Sequence, residues 1–477
     1  MIVKPTDKNL GLAVFAAQPY VAALEHHLNN GPYQRVEMSS FLSSARNLHQ
    51  HTLKRLPSKG LTKTEVKFIT AHRRIESPKF HMIPKVHKAP WGWCPIVPAH
   101  SSPTARMSKV TDIALAALLP RFPHLIQSTA EWIRSVTRGI EKRTGNKRVW
   151  LVTGDIVAYY TNIDVHTIDR SMEALMRGSR FTTQRAAAIA ALVRVTTHQN
   201  YFTVNDNQLF RQTNGLAMGS PCSGTVANLS LARREKKVIH RAGILAYTRY
   251  IDDVFALLET DSLSEVRRIL QEVTEAVAPL KIKWNVSERH AIYLDVQVDC
   301  NRFGNNFSYR PCRKPGNQHA YLPWSSAHPI HVKKGLVMGE TTRLSLLCSE
   351  ELTFRKEVAT FMECLLRRGY PDKALTAWMA RIRWANRFGT IFDSRIERST
   401  NDQVLRIPTT YNPLWENINL REFFDKVLEV WRHSWEPETR PSQLSLSQTR
   451  GESLYDNLFS WNKNVLGVAY GDADFLA

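Results

Sequence analysis

The chain has 477 residues, 43% of them hydrophobic, which is enough for several packed subdomains, and its 64 Lys and Arg against 43 Asp and Glu give a formal charge of +21. That excess suits a polyanionic partner: each neutralised phosphate releases counterions, so binding is expected to weaken by about 0.7 to 0.9 log units per phosphate contact per decade of salt. No apolar run reaches membrane-spanning length, Lys4 to Asn9 interrupts any leader, and six scattered cysteines (Cys94, Cys222, Cys300, Cys312, Cys348, Cys364) without a CxxC pair read as reduced thiols of an intracellular protein.

Residues 1–145 are basic and mixed, with helices expected near Tyr20–Leu28 and Asp112–Leu119 and strong basic character between Arg46 and Lys88; His49 and His51 read as surface residues. In Leu151-Val-Thr-Gly-Asp-Ile-Val-Ala-Tyr-Tyr160 an apolar, β-branched run closes on an acid, which places Asp155 at the end of a buried strand. A helical insertion follows around Gln184–Arg194. Gly215–Asn228 reads as a glycine-bearing loop entering a helix, with Ser220 as N-cap, Pro221 in the first turn and Gly219 letting the backbone approach a ligand closely. Arg233-Arg-Glu-Lys-Lys237 is read as the basic end of that helix rather than a nuclear signal. Ile244–Tyr250 and Val254–Leu258 are strand runs meeting at an acidic two-residue corner in Tyr250-Ile-Asp-Asp253.

Further on, Cys312, His319, His328 and His331 lack knuckle-like pairing, so a zinc site is not the favoured reading. Ser349 is a fit cap with Glu350 and Glu351 in the first turn, and apolar residues recur at Phe354, Val358, Phe361, Met362, Leu365 and Leu366 until Gly369 and Pro371. A second helix starting near Asp372 places Leu375, Trp378, Met379, Ile382 and Ala385 on one face with Arg383 and Arg387 beside it, suited to packing inward and riding on duplex phosphates. Arg406–Pro413 reads as a connector, Pro437–Ser453 as a flexible linker, and the last residues, through Trp461 and Tyr470, as at most one small packed element.

Three aspartates on two strand ends repel one another and raise one another's pKa, so a structural role would be costly. Hard oxygen ligands suit Mg²⁺, and two such ions clamp the attacking and leaving oxygens when a hydroxyl attacks a triphosphate in line. Asp155 and Asp252 are the expected ligands. Asp253 is given a supporting role, because successive strand residues point to opposite faces.

Order and content resemble the palm of a reverse transcriptase and, more narrowly, the reverse transcriptases of Penelope-like elements, which group with telomerase-type enzymes. The segments that carry the likeness are Asp155 with Tyr160-Thr-Asn-Ile163, Gly215 to Ser223, and Tyr250 to Asp253. Outside them lie Val3–Lys8, Ile83–Lys88, Pro95–Val97, Ser102–Thr104, Tyr293–Val296, Tyr321–Pro323, His328–His331 and Arg368–Pro371, so that roughly residues 1 to 420 are covered and the joint pattern is specific where single pieces are not.

The resemblance implies an α+β right-hand polymerase: fingers over 1–145; a palm over 146–300, an antiparallel sheet with helices on one face and a fingers-type helical insertion near 180–200; a connection and helical thumb over 301–400; and a connector, linker and tail over 401–477. It implies an RNA-directed DNA polymerase extending a primer 3′ end, with Asp155, Asp252 and Asp253 catalytic and with Asp155, Ile156, Asp252 and Asp253 as ligands of two Mg²⁺, or Mn²⁺ in their place. Tyr160 would lie under the sugar and favour deoxynucleotides, and Lys85 and Lys88 would lie near the triphosphate. Gly219, Ser220 and Pro221 would shape the floor beneath the new base pair, Arg383, Arg387, His328 and His331 would touch nucleic acid, and Lys283 is a weaker candidate for protonating pyrophosphate. The implied partners are an RNA template, a DNA primer and deoxynucleoside triphosphates, with no membrane, no stable protein partner and a nuclear setting. No GIY-YIG endonuclease signature follows the thumb, so extension of pre-existing 3′ ends is expected.

One position departs from the family pattern. The arginine expected immediately before Pro-Ile-Val is Cys94 here, and a thiol offers no cationic fork to phosphate; losing such a contact slows catalysis about 10²-fold. A catalytically impaired or domesticated copy that binds nucleic acid without polymerising is therefore one alternative, and an RNA-templated RNA polymerase on the same palm is another.

Overall fold

The computed structural model describes residues 1–389 apart from 8–10, 40, 42, 44–59, 72–75, 101, 144–146, 205–207, 302–306, 314–316 and 318, and then 404–410, 419–430 and 443–449. His49, His51, Trp461 and Tyr470 lie outside the described residues. Two units divide the described residues: those up to Phe307, and those from Ser308 on.

In the first unit β1 (Ile2–Pro5) and β2 (Leu12–Phe15) pair antiparallel and lead into α1 (Ala17–Asn30). Tyr20, Leu24 and Leu28 recur at helical spacing on its buried face, and the Tyr20 hydroxyl accepts from the Met82 amide at 3.1 Å. After β3 (Tyr33–Val36), α2 (Lys63–Thr70) starts at a capping box formed by Thr62 and Glu65. The hairpin of β4 (His81–Lys85) and β5 (Gly92–Ile96) follows, then α3 (Ala105–Ala116) and α4 (Thr129–Glu141).

The central strand β6 (Val149–Ile156) is followed by the short α5 (Tyr159–Asn162), α6 (Val165–Arg177) and α7 (Thr183–His198). The hairpin of β7 (Tyr201–Val204) and β8 (Gln208–Gln212) pairs through β8 with β3. Then come α8 (Ser223–Val238), β9 (Ile244–Tyr250), β10 (Asp253–Glu259), α9 (Leu263–Ala276), β11 (Ile282–Ser287), β12 (His290–Tyr293) and β13 (Val296–Cys300).

The main sheet has the order β11–β6–β10–β9, antiparallel throughout. One face presents Trp150, Val152, Ile156, Val254, Ala256 and Leu258 to a core completed by residues of α3, α6, α7, α8 and α9, whereas the expectation of helices on one face alone does not hold. The opposite face is partly covered by α4, whose Trp132 meets Phe255 edge-on at 5.3 Å and Tyr293 at 5.6 Å. Asp155 and Lys283 are exposed.

β14 (Phe307–Pro311), whose first residue closes the first unit, precedes α10 (Ile330–Leu347), α11 (Glu351–Arg367) and α12 (Asp372–Met379) of the second. The helices close on Val337, Leu344, Phe354, Phe361, Leu365 and Leu375. Three details differ from the sequence reading. Ser349 is not the cap of α11, because its hydroxyl is bonded to the main chain of Tyr309 at 3.0 and 3.1 Å, and Glu350 takes the cap position. The helix expected to run to Arg387 ends at Met379, and Trp384–Asn386 form a 3₁₀ turn whose indole donates to the Cys348 carbonyl at 2.9 Å. Beyond, β15 (Val404–Thr410) and β16 (Gln443–Thr449) pair in parallel, with α13 (Leu420–Val430) between them in sequence. The stretch expected as flexible linker thus carries a strand, whose apolar Leu444 and Leu446 alternate with polar residues at the period of two that strands require.

Trp132 is fully buried. Trp132→Ala should lower unfolding free energy by about 3–5 kcal/mol, measured by urea denaturation.

Candidate active site

The acidic site forms at the junction of β6 with the β9–β10 hairpin. Asp155 lies opposite Asp253 on one side and opposite Lys283 on the other, and Asp253 is opposite Tyr250. Residues paired across an antiparallel ladder share a face, so Lys283, Asp155, Asp253 and Tyr250 make one row. The hairpin corner is Ile251–Asp252, not two acids: Asp253 is the first residue of β10, which corrects the expectation that strand alternation turns it away from Asp155. Asp252 occupies the turn itself, and its carbonyl accepts from the Ile156 amide at 2.9 Å. This bond brings the backbone of Asp252 against the residue after Asp155.

The glycine loop packs on the segment that follows β6. Leu216 donates its amide to the Tyr160 carbonyl at 2.6 Å, and Gly215, at φ +78°, leaves space that a side chain would fill only 2.6 Å from that same oxygen. Gly219, at φ +124°, lies against the Val97 carbonyl, and Val97 donates to the Met218 carbonyl at 2.9 Å. A side chain at Gly219 would meet the carbonyl just past the end of β5. Ser220 is not the N-cap: α8 begins at Ser223 after Cys222, and the buried Ser220 hydroxyl sits 2.8 Å from that of Ser108. Pro221 is exposed in the turn before the helix.

Residues 103–296, which hold all three aspartates, match the family described as reverse transcriptase (RNA-dependent DNA polymerase). The chain carries a reverse transcriptase domain. The chemistry of that domain's family is RNA-directed DNA polymerisation, a nucleotidyl transfer. Residues 320–379, spanning α10 to α12, match the animal helix-turn-helix domain.

Among solved structures, telomerase from Candida albicans in complex with a TWJ fragment of telomeric RNA has a TM-score of 0.55 at 10% identity, covering 82% of this chain and 64% of that one. Telomerase from Candida Tropicalis, also with a TWJ fragment, gives 0.46 at 12% identity, covering 83% and 64%. An insertion loop deletion mutant of the RNA-dependent RNA polymerase of a human picorbirnavirus gives 0.45 at 10%, covering 80% and 82%. The likeness to the first is one of fold. The chain spans 64% of the length of these two telomerase chains. No curated protein matches it.

Charge is concentrated where the reverse transcriptase domain keeps its acids. Burial, and then the neighbouring Asp155 charge, lift the Asp252 carboxyl above its ordinary range, while Arg249 and Lys85 pull the other way. Burial raises the Tyr160 phenol, and Asp252 adds to the effect. Lys85 thus acts electrostatically on Asp252, and Asp252 on the Tyr160 phenol, although each is far from it in sequence. Lys88 is exposed at the tip of the β4–β5 hairpin. Cys94 lies opposite Ile83 in that hairpin, half-buried; burial raises its thiol, with Lys85 partly offsetting the rise.

Among the described residues no three His, Cys, Asp or Glu side chains converge as a ready-made metal cage. Mg²⁺ is ordinarily bound through one or two carboxylates together with substrate phosphates and water. The mutual repulsion of Asp155 and Asp252 is the electrostatic state that such a cation relieves, so the donor set fits.

In the second unit His331 is exposed near the start of α10, and the His328 ring is 2.6 Å from the Ser326 hydroxyl. Arg383 is exposed. Arg387 is committed internally: it stacks 3.6 Å over Trp384 and 4.5 Å over Phe388 and donates to the Trp384 carbonyl at 3.2 Å.

Sequence reading missed Glu235 and Arg249, both fully buried. Glu235 is the one acid within Arg233–Lys237, and reading that run as a basic helix end overlooked it.

Because the folded-state pKa of Asp252 is raised, ionising it opposes folding; this cost is absent below the ordinary aspartate value of about 3.9 and accrues as pH rises through the folded value. Asp252→Asn should therefore raise the thermal midpoint at pH 7 in metal-free buffer. The gap from wild type should shrink as pH falls toward 4, followed by scanning calorimetry.

Proposed function

We propose that this protein is the reverse transcriptase of a Penelope-like retroelement, extending the 3′ end of a DNA primer along an RNA template in the nucleus. The observation that carries the reading is the meeting of Asp155, at the end of β6, with Asp253 across the ladder and with the turn that holds Asp252, where Lys85 acts on the Asp252 carboxyl and that carboxyl acts on the Tyr160 phenol. Two carboxylates, a cation and an aromatic ring are the groups that a deoxynucleoside triphosphate needs at its phosphates and sugar.

Asp155 and Asp252 would hold two Mg²⁺ ions, or Mn²⁺, with Ile156 and Asp253 alongside. When bound, the ions supply charge that stabilises the attacking 3′ oxygen and the leaving pyrophosphate. Tyr160 lies under the incoming sugar and leaves no room for a 2′-hydroxyl, which selects deoxynucleotides. Lys85, with Lys88 farther out on its hairpin, offers positive charge to the triphosphate. Lys283, exposed beside Asp155, can deliver a proton to the leaving group. In this reading Gly219 and Pro221 line the floor under the nascent pair, and the second unit, as thumb, contributes His328, His331 and Arg383 to the duplex.

Asp252→Asn should abolish Mg²⁺-dependent extension of an RNA-templated primer while duplex affinity, measured by fluorescence anisotropy across a salt series, stays near wild type. Extension that persists would remove Asp252 from the chemistry.

A second reading, a copy impaired in catalysis, draws on Cys94. The thiol occupies the face of β5 nearest Lys85, and that lysine is a point charge where a guanidinium fork would grip two phosphate oxygens. Cys94→Arg should raise the extension rate by about 10²-fold if the natural enzyme is impaired. An unchanged rate in primer-extension kinetics would indicate that Lys85 suffices.

A further inference from the structure

The segments that meet at the acidic site share one buried anchor. Arg249 Nε donates to Glu235 Oε1 at 2.6 Å and Nη2 to Oε2 at 2.8 Å, a two-pronged ion pair with both side chains fully buried. The guanidinium has more donors than Glu235 can accept, and the surplus is distributed. Nη1 donates to the Ile251 carbonyl at 2.8 Å and to Asn228 Oδ1 at 2.9 Å, and Nη2 donates to the Asn228 carbonyl at 2.9 Å. The Tyr159 hydroxyl lies 3.4 Å from Nη1. On its far side Glu235 accepts from the Tyr247 hydroxyl at 3.0 Å and lies 3.4 Å from His124 Nε2. One side chain therefore touches the segment after Asp155, the helix after the glycine loop, and the turn that carries Asp252.

That turn is strained. Ile251 is β-branched and sits at φ +56°, a region such residues rarely adopt and keep only where their surroundings over-determine it. Its carbonyl is the group Arg249 grips. A buried ion pair adds little stability over well-packed apolar residues, so stability alone does not account for a fork aimed at a turn.

We propose that Arg249, clamped by Glu235, is a positioning residue that holds Ile251 in its left-handed conformation and thereby aims the Asp252 carboxylate at the reacting phosphate. The proposal rests on the polymerase reading for its consequence, but the clamp itself does not depend on it. Lysine keeps the charge and loses the fork, so Arg249→Lys separates orientation from electrostatics. Glu235→Gln keeps the shape and releases the clamp.

The test combines hydrogen–deuterium exchange at the Tyr250–Asp253 amides with steady-state primer extension and primer–template affinity, on the full chain. For Arg249→Lys, exchange at the turn should quicken by about tenfold or more while the amides of β6 and α8 keep their protection. The kcat should fall about 10²-fold, as a small misplacement of a reacting group does, with primer–template affinity within about twofold of wild type. Glu235→Gln should give the same pattern to a lesser degree, and it carries both readouts if the lysine variant does not fold. Wild-type exchange at the turn would overturn the clamp. Loss of β6 and α8 protection together with matching losses of kcat and duplex affinity would reduce Arg249 to a structural residue. A wild-type protein that extends no primer would count against the polymerase reading, and the exchange data would still decide the clamp.

Discussion

The site depends on the register of β6 against β10. Val149 to Asp155 pair with Glu259 to Asp253 without a break, and this ladder fixes two acids opposite each other at its open end. Like charges so placed repel, and the opposing drive is the run Val149-Trp-Leu-Val152, buried on both sides of the sheet. A slip of one residue would turn Asp155 into the core and Ile156 into solvent. Burial of the strand and placement of the carboxylate are therefore one constraint, and the neighbouring turn carries Asp252, whose carboxyl is lifted by burial and by the Asp155 charge.

The placement of the acids was readable because they end or adjoin apolar runs that become strands. The parts that were misread depend on tertiary partners. The corner was placed one residue late because Ile251 is a poor residue for a left-handed position, and the Arg249 contact to its carbonyl comes from tertiary structure. Ser220 and Ser349 have the chemistry of helix caps, but Ser108 and Tyr309, distant in sequence, claim their hydroxyls. Glu235 was hidden among four basic neighbours, since local charge pattern does not reveal that one member of a run faces inward. Helix α10 was missed because its apolar residues do not gather on a single stripe, and charge alone did not reveal the ring contacts of Arg387.

The reverse transcriptase domain accounts for residues 103–296, and the features around it give the chain its individual character. Cys94 leaves Lys85 as the cation of the β4–β5 hairpin that acts on Asp252. The helices α10 to α12 fall within a helix-turn-helix match, an architecture consistent with a basic chain whose proposed partner is a nucleic-acid duplex. Glycines 215 and 219 serve internal packing, so the loop they flank is held by the chain itself on both sides, at Tyr160 and at Val97. A loop so braced can present a fixed surface to a base pair, consistent with the proposed floor.

The central claim is that divalent cations are held jointly by acids brought together from distant parts of the chain. Anomalous diffraction from crystals of the protein with primer–template, a non-hydrolysable deoxynucleoside triphosphate and Mn²⁺ tests it most directly. The account predicts two manganese peaks within coordination distance of the Asp155 and Asp252 carboxylates, bridging them to the triphosphate. Manganese bound elsewhere, with those carboxylates free of metal while the nucleotide is seated, would contradict it.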